Sequence, residues 1–271
     1  MEFSSYLKLN AQAIEEELEK ILAEFLKQTK KTSPKLLPFT KAFVNSCKGG
    51  KRIRGVLSKL GYELAGGESR EIFKVGAALE ILHTAILVHD DIIDQSPTRR
   101  GKLSLYQALG GNHYGQSQAI VLGDIGLYLP IKIIADSNFP GEYIIKALSY
   151  LSAVIVNTGL GQVLDVTAEK DLMLLYKLKT AHYTICGPLI LGAILAGAKE
   201  RMIGALWEFG ENLGIVYQIK DDILDGESKP LSERLTDYAS QAKKMIPKIT
   251  KDKKMRVLLE SMCEYLVERS K

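Results

Sequence analysis

Apolar residues recur at helical spacing along almost the whole chain. Leu18, Ile21, Leu22 and Phe25 fall at i, i+3, i+4 and i+7 and predict one face of a first helix, which the Thr32-Ser33-Pro34 break should end. A second helix is predicted after Pro38, and a third, through Leu57, Leu60 and Leu64, should stop at Gly66-Gly67. Ser69 ahead of Ile72 suits the start of the next, over 71–94, which ends in Gln95-Ser96-Pro97. Further helices are expected over 116–135, 141–157 and onward to 169, 171–198, 200–224, and from 231 onward. Val, Ile and aromatic residues do not alternate between turn dipeptides, so no strands are expected. No repeat of roughly 20 to 50 residues and no low-complexity linker interrupts the pattern. One all-α domain covering 1–271 is the expected organisation.

Composition narrows this further. With 46% hydrophobic and 25% charged residues among 271, the chain has the balance of a folded globular protein, which excludes disordered and fibrous classes. The longest apolar stretch without a nearby charge, 187–198, falls short of the roughly 18 to 20 residues that cross a bilayer, so no integral membrane insertion is expected. The acidic first twenty residues hold no apolar core segment, so no secretory signal is read there and a cytoplasmic location is expected. The net charge of +4, from 36 Lys+Arg against 32 Asp+Glu, is too mild for a nucleic-acid footprint, and no nucleic-acid partner is expected. Cys47, Cys186 and Cys263 are widely spaced, without a CxxC pair or a histidine in ligand register, and read as buried free thiols.

Half of the chain's aspartates stand in two copies of one pattern. HDDIID places Asp90, Asp91 and Asp94 near the end of one predicted helix, and KDDILD places Asp221, Asp222 and Asp225 near the end of another. With 12 aspartates in the chain, chance would give about 0.02 copies of DDxxD. On a helix i and i+4 share a face, so each cluster sets two carboxylates side by side, where like charges cost a few tenths of a kcal/mol and oppose the dipole of a carboxyl-terminal helix end. A hard divalent cation compensates this: magnesium takes oxygen ligands, commonly one or two carboxylates, and completes its shell with water and substrate phosphate. Zinc would call for histidine or thiolate, and neither cluster has the glycine and terminal glutamate of an EF-hand.

Cations stand where they could complete a phosphate site. GGKRIRG puts Lys51, Arg52 and Arg54 at a helix start, where backbone N–H groups favour anions; a solvated basic turn is the alternative. SPTRRG puts Arg99 and Arg100 behind the first cluster, either to grip phosphate or to neutralise the neighbouring aspartates. KLKTA supplies Lys179 and Thr180 within an apolar helix, and GQVLD sets Gln162 and Asp165 one turn apart on another.

In this order, from about Gly49 to Asp225, these residues resemble the trans-isoprenyl diphosphate synthases of the polyprenyl synthetase family: GGKRxRP, DDxxD with two arginines, GQxxD, KT and QxxDDxxD. The resemblance implies an all-α, single-domain orthogonal helical bundle with a central cavity, usually a homodimer, which joins isopentenyl diphosphate to an allylic diphosphate. It implies Mg2+, about three ions per active site, held by Asp90, Asp94 and Asp221, with Asp165 reaching the metal through water. Asp91, Asp222 and Asp225 support these ligands, and Arg99 and Lys179 hold the allylic diphosphate. Lys51, Arg54, His83 and Arg100 bind isopentenyl diphosphate. Thr180, Gln218 and the pair Gln162 and Asp165 steady the allylic cation or the metal waters. His89 reads as a packing residue. Two features depart from the family: Gly55 stands where it has proline, and after Asp225 no GKxT element is visible, though Lys229 stands in for the first lysine of that segment. The closing lid over the diphosphates, and with it the rate, is what this difference bears on.

In the family the product grows toward the residues four and five before the first aspartate, here Ile86 and Ala85. Small Ala85 and bulkier Ile86 lead to an expected product of about twenty carbons or more, with Leu127, Tyr128 or Ile131 as a deeper floor. A non-catalytic or weakly active subunit of a heteromeric synthase is the alternative, weighed down by both costly clusters being intact. Peripheral membrane contact for release of a lipid product is also expected.

Overall fold

The computed structural model describes residues 1–224, 226 and 232–269. Helices fill most of them: α1 (Phe3–Thr32), α2 (Leu37–Ser46), α3 (Ile53–Leu64), α4 (Ile72–Ile93), α5 (Leu105–Ala108), α6 (His113–Ala135), α7 (Gly141–Val166), α8 (Leu172–Leu175), α9 (Gly187–Leu195), α10 (Glu200–Leu224), α11 (Leu235–Ile249) and α12 (Lys253–Glu268). Local chemistry sets their ends. Ser33 accepts from the Lys35 N–H at 3.3 Å after α1, Asn112 caps α6 by accepting from Gly115 N–H at 3.0 Å, and Asp252 caps α12 by accepting from Lys254 and Met255.

The all-α expectation holds, and α10 matches its predicted range. Three local differences have physical causes. The expected run 171–198 is not one α-helix: α8 and α9 flank a π-helical segment, Tyr176–Cys186. The run from 231 onward breaks at Thr250, whose extended backbone (φ −146°, ψ 149°) lets Asp252 begin α12. Where no strand was expected, β1 (Thr98–Arg99) pairs with β2 (Lys102–Leu103), closed by Arg100 and Gly101 at φ 53° and 74°. Two-residue strands are too short to show alternation in a sequence.

The trace gathers into two compact units. One comprises Met1–Asn10, Val56–Ile72 and Asn138–Lys271, the other Ala11–Gly55 and Phe73–Ser137. In the first, α10 packs on α11, α12 and the π segment, with α7 and α9 on the latter. A π-helix is wider than an α-helix, and its neighbours approach it through glycine: a Cβ on Gly161 of α7 would lie 2.6 Å from Lys179 N, and one on Gly214 of α10 would lie 2.4 Å from Ala181 Cα. In the second unit α4 is apolar nearly all round and buries Val75, Ala78, Ile81 and Ala85 completely, each large side chain contributing about 1.5–3 kcal/mol. The three cysteines are buried and free, and burial pushes the Cys47 and Cys263 thiols up to about 12.

One expectation is corrected. The charge-free run 187–198 is not the longest candidate for a membrane span, because a span tolerates a charge or two. Among the described residues four segments are long and apolar enough: Ile72–Ile93, His113–Ala135, Gly141–Val166 and Leu172–Leu195. The first and last are largely buried within the protein, whereas only 39% and 28% of the α6 and α7 windows are.

Candidate functional site

The first aspartate cluster closes α4. Asp90 and Asp91 lie in its last turn, and Asp94 follows it with its N–H on the Asp90 carbonyl at 2.8 Å, so the i, i+4 relation of the two outer aspartates survives the helix end. The β1–β2 hairpin then turns the chain back. Arg99 Nε and Nη2 donate to Asp91 Oδ1 at 2.8 and 2.5 Å, and Nη2 reaches Asp90 Oδ2 at 3.3 Å. Asp91 is buried, which raises its carboxyl although Arg99 opposes the shift. Burial would lower Arg99, but the bond and charge of Asp91 outweigh it and hold the guanidinium above its usual value.

Arg100 donates to the Gly49 carbonyl at 3.1 Å and faces His83 Nε2 at 3.5 Å. Burial, then Arg54, Arg100, Arg99 and Arg52, hold the His83 imidazole well below its usual range, so it is neutral and accepts from Arg100. Arg52 serves another purpose. It is buried with its Nε 2.5 Å from Glu15, its Nη2 on the Cys47 carbonyl and Glu80 at 3.8 Å, which fixes the start of α3 and with it Lys51 and Arg54. A cavity of about 350 Å³ opens here, lined by Asp91, Arg99, Arg100 and Lys102 and by the apolar Leu87 and Val88.

Ala85 is buried where α4 meets Gly126 of α6 and Phe43 of α2; a Cβ on Gly126 would be 2.8 Å from Ala85 Cβ. Ile86, next to it, is half-buried. Tyr128, about 200° round α6 from Gly126, is 70% exposed and does not join that packing. His89 accepts the close approach of Gly123 and bonds the Ile120 carbonyl at 3.1 Å, a packing role across α4 and α6.

In the other unit, α7, the π segment and α10 carry the second group. Lys179 Nζ lies 2.5 Å from Asp165 Oδ2. Thr180 donates to Gln218 Oε1 at 2.6 Å, Gln218 donates to Asp222 Oδ1 at 2.8 Å, and the Tyr176 hydroxyl donates to Asp222 Oδ2. Asp222 is therefore buried with both carboxylate oxygens engaged, while its neighbour Asp221 accepts from Arg269 at 2.5 Å. The Arg269 guanidinium also bonds the Tyr217 carbonyl and stacks 3.9 Å over the Tyr217 ring. Gln162 sits one turn before Asp165 on α7. Asp225 and Lys229 lie outside the described residues.

The donor chemistry fits magnesium. Among the described residues no three His, Cys, Asp or Glu side chains gather into one metal-binding group; Asp90 with Asp94 in one unit, and Asp221 in the other, each offer hard oxygens of the kind magnesium takes alongside phosphate and water.

A family model described as polyprenyl synthetase matches residues 36–241, which include both aspartate clusters. The chain belongs to this family. A geranylgeranyl diphosphate synthase of Cyanophora paradoxa is 36% identical over 191 residues, 65% of this chain and 61% of its own length. One from Sulfolobus acidocaldarius is 33% identical over 209 residues, 73% of this chain and 62% of its own. The chain thus spans about three fifths of the length of these curated relatives. The solved geranylgeranyl pyrophosphate synthetase of Geoglobus acetivorans superposes with a TM-score of 0.83 at 26% identity, over 97% of this chain and 99% of that one. Against the family's motifs, sequence reasoning missed Tyr176, Arg269 and Glu80. Glu80 had a signal, as the one acidic residue between Ile72 and Val88 of an apolar helix.

Proposed function

We propose that this polyprenyl synthetase is a magnesium-dependent prenyltransferase that condenses isopentenyl diphosphate with an allylic diphosphate, giving an all-trans polyprenyl diphosphate of about twenty carbons or more. The observation that carries the reading is that one family match, 36–241, spans both aspartate clusters and every cation set between them.

Asp90, Asp94 and Asp221 would hold the metal, with Asp165 acting through water. Bound there, about three magnesium ions would supply positive charge against the leaving diphosphate. Lys179 and Arg99 add fixed positive charge at the same group, which is worth most where the charge develops. Arg99 is held by Asp91, and Lys179 by Asp165, so both cations are oriented before substrate arrives. Lys51, Arg54 and Arg100 take the isopentenyl diphosphate beside His83, whose neutrality lets it accept or donate a hydrogen bond without adding charge. Thr180 and Gln218, joined to each other, present polar oxygen toward the developing allylic cation. Ile86 beside Ala85 sets where the growing chain stops.

Two copies pair, in this reading, through apolar faces left open on the single chain: Val156, Leu160 and Val163 of α7, spaced i, i+4 and i+7, are each more than half exposed.

The test is incubation of purified protein with labelled isopentenyl diphosphate and a panel of allylic diphosphates, with and without magnesium, and chromatographic sizing of products. A magnesium-dependent ladder ending at one length is expected. No elongation with any primer would sink the reading.

A further inference from the structure

The π segment Tyr176–Cys186 sets the aim of Lys179, and something must hold so long a stretch in an uncommon winding. Its backbone shows the winding directly, since the Gly187 N–H bonds the His182 carbonyl five residues back. The glycines at 161 and 214 permit the wide backbone but do not select it.

A side-chain arrangement does. Glu211, on α10, takes Lys177 Nζ at 3.1 Å on Oε2 and His182 Nε2 at 3.3 Å on Oε1. Lys177 and His182 are five apart. At about 100° per residue an α-helix would set them about 140° apart, whereas at about 82° per residue a π-helix brings them within about 50°. One carboxylate can bridge them only in the second case. His182 is buried against the Trp207 ring, centroids 4.7 Å apart, and its Nδ1 has no partner among the described residues, so Glu211 is the group that fixes this imidazole.

We propose that Glu211 is a positioning residue for Lys179: by clipping Lys177 to His182 it keeps the segment π-wound and so keeps Lys179 aimed. Tyr176 is anchored to Asp222, and Lys179 stands three residues later. Relaxation to α winding would turn Lys179 by about 55° relative to that anchor, away from its place beside Asp165. Glu211 touches neither substrate nor reacting atoms. The inference rests on the proposed reading that Lys179 holds the allylic diphosphate.

Two measurements test the two parts separately. Amide hydrogen exchange on the substrate-free protein reads the winding: Glu211→Ala should exchange about tenfold faster across 176–186 with α12 unchanged, and the milder Lys177→Met about threefold. Unchanged exchange in that segment for both variants overturns the clip, whatever the catalysis. Steady-state kinetics reads the aim. Glu211→Ala should raise KM for the allylic diphosphate about tenfold with KM for isopentenyl diphosphate within twofold, and Glu211→Gln should restore part of the loss. In a Lys179→Ala background the Glu211 substitution should add nothing. An equal penalty with and without Lys179 overturns the positioning role, whereas a Lys179→Ala variant with unchanged allylic KM removes the proposed role of Lys179 itself.

Discussion

The Gly55 N–H donates to Glu80 Oε1 at 2.9 Å, and the glycine's bare Cα faces the Gly76 carbonyl and Ile14, each 2.9 Å from where a Cβ would sit. This position is the one at which the chain departs from the family's GGKRxRP. A proline here would lose the N–H that serves a buried carboxylate and would press its ring on α4. Gly55→Pro should therefore cost about 3 kcal/mol or more, a fall in Tm of about 6 to 12 °C. Thermal unfolding by circular dichroism checks it, and an unchanged Tm would mean that the glycine is incidental.

Tyr176 and Gln218 supply donors to the two oxygens of buried Asp222. Tyr176→Phe removes one of them without altering shape. A hydrogen bond to a charged group contributes about 1.5–3 kcal/mol, so a loss of that size in unfolding free energy is expected, together with a fall in kcat/KM for the allylic substrate. Urea denaturation alongside kinetics reads both, and wild-type values in each would remove Tyr176 from the site.

The aspartate clusters were legible because their logic is local: spacing i and i+4 on a helix is a property of the sequence itself. The flanking helices were legible for the same reason. The π winding was not, since the apolar spacing over 171–198 suits one continuous helix, whereas the winding shows in the fold as the Gly187 N–H on the His182 carbonyl and as contacts of Lys177 and His182 with Glu211 on another helix. Arg269 on Asp221 joins residues 48 apart, which no motif encodes. The hairpin that aims Arg99 is two residues a side, below the length at which alternation registers.

His83 gives a pH dependence with a definite sign. Its folded-state pKa is depressed by burial and by four arginines, while in the unfolded chain it titrates near 6.5. The unfolded state therefore binds a proton that the folded state refuses. Stability from this group is fully present above about pH 6.5 and is lost as pH falls below it. Urea unfolding between about pH 5 and pH 8 should show this slope in the wild type and a shallower one in His83→Gln. Parallel profiles would mean that the fold does not depress the His83 imidazole.

Leu160 stands between Val156 and Val163 on the open face of α7. If two copies meet there, Leu160→Glu buries a carboxylate at the interface, which is expensive, while leaving the isolated chain intact because the side chain faces water. Light scattering coupled to size exclusion should move from twice the 30.0 kDa chain mass toward the chain mass. A wild-type protein that already elutes as a single chain would dispose of the homodimer.

Arg269 would compete with magnesium for one carboxylate if Asp221 holds the ion as proposed. The Arg269 guanidinium is 2.5 Å from Asp221 Oδ1 and is packed over Tyr217, so a cation already neutralises an aspartate proposed to hold the metal. Binding magnesium at Asp221 must displace or share that contact. The Asp221 side chain is 38% exposed, so screening keeps the pair weak, about 1 kcal/mol or less, which bounds the effect on metal affinity at about fivefold. Arg269→Ala should tighten magnesium binding by up to that factor in calorimetric titration of the substrate-free protein. The stacked guanidinium also ties the end of α12 to α10, so the same variant should exchange its α12 amides faster even without metal. Weaker magnesium binding in Arg269→Ala would reverse the argument, making Arg269 a group that prepares Asp221 for the ion instead of one that holds its place.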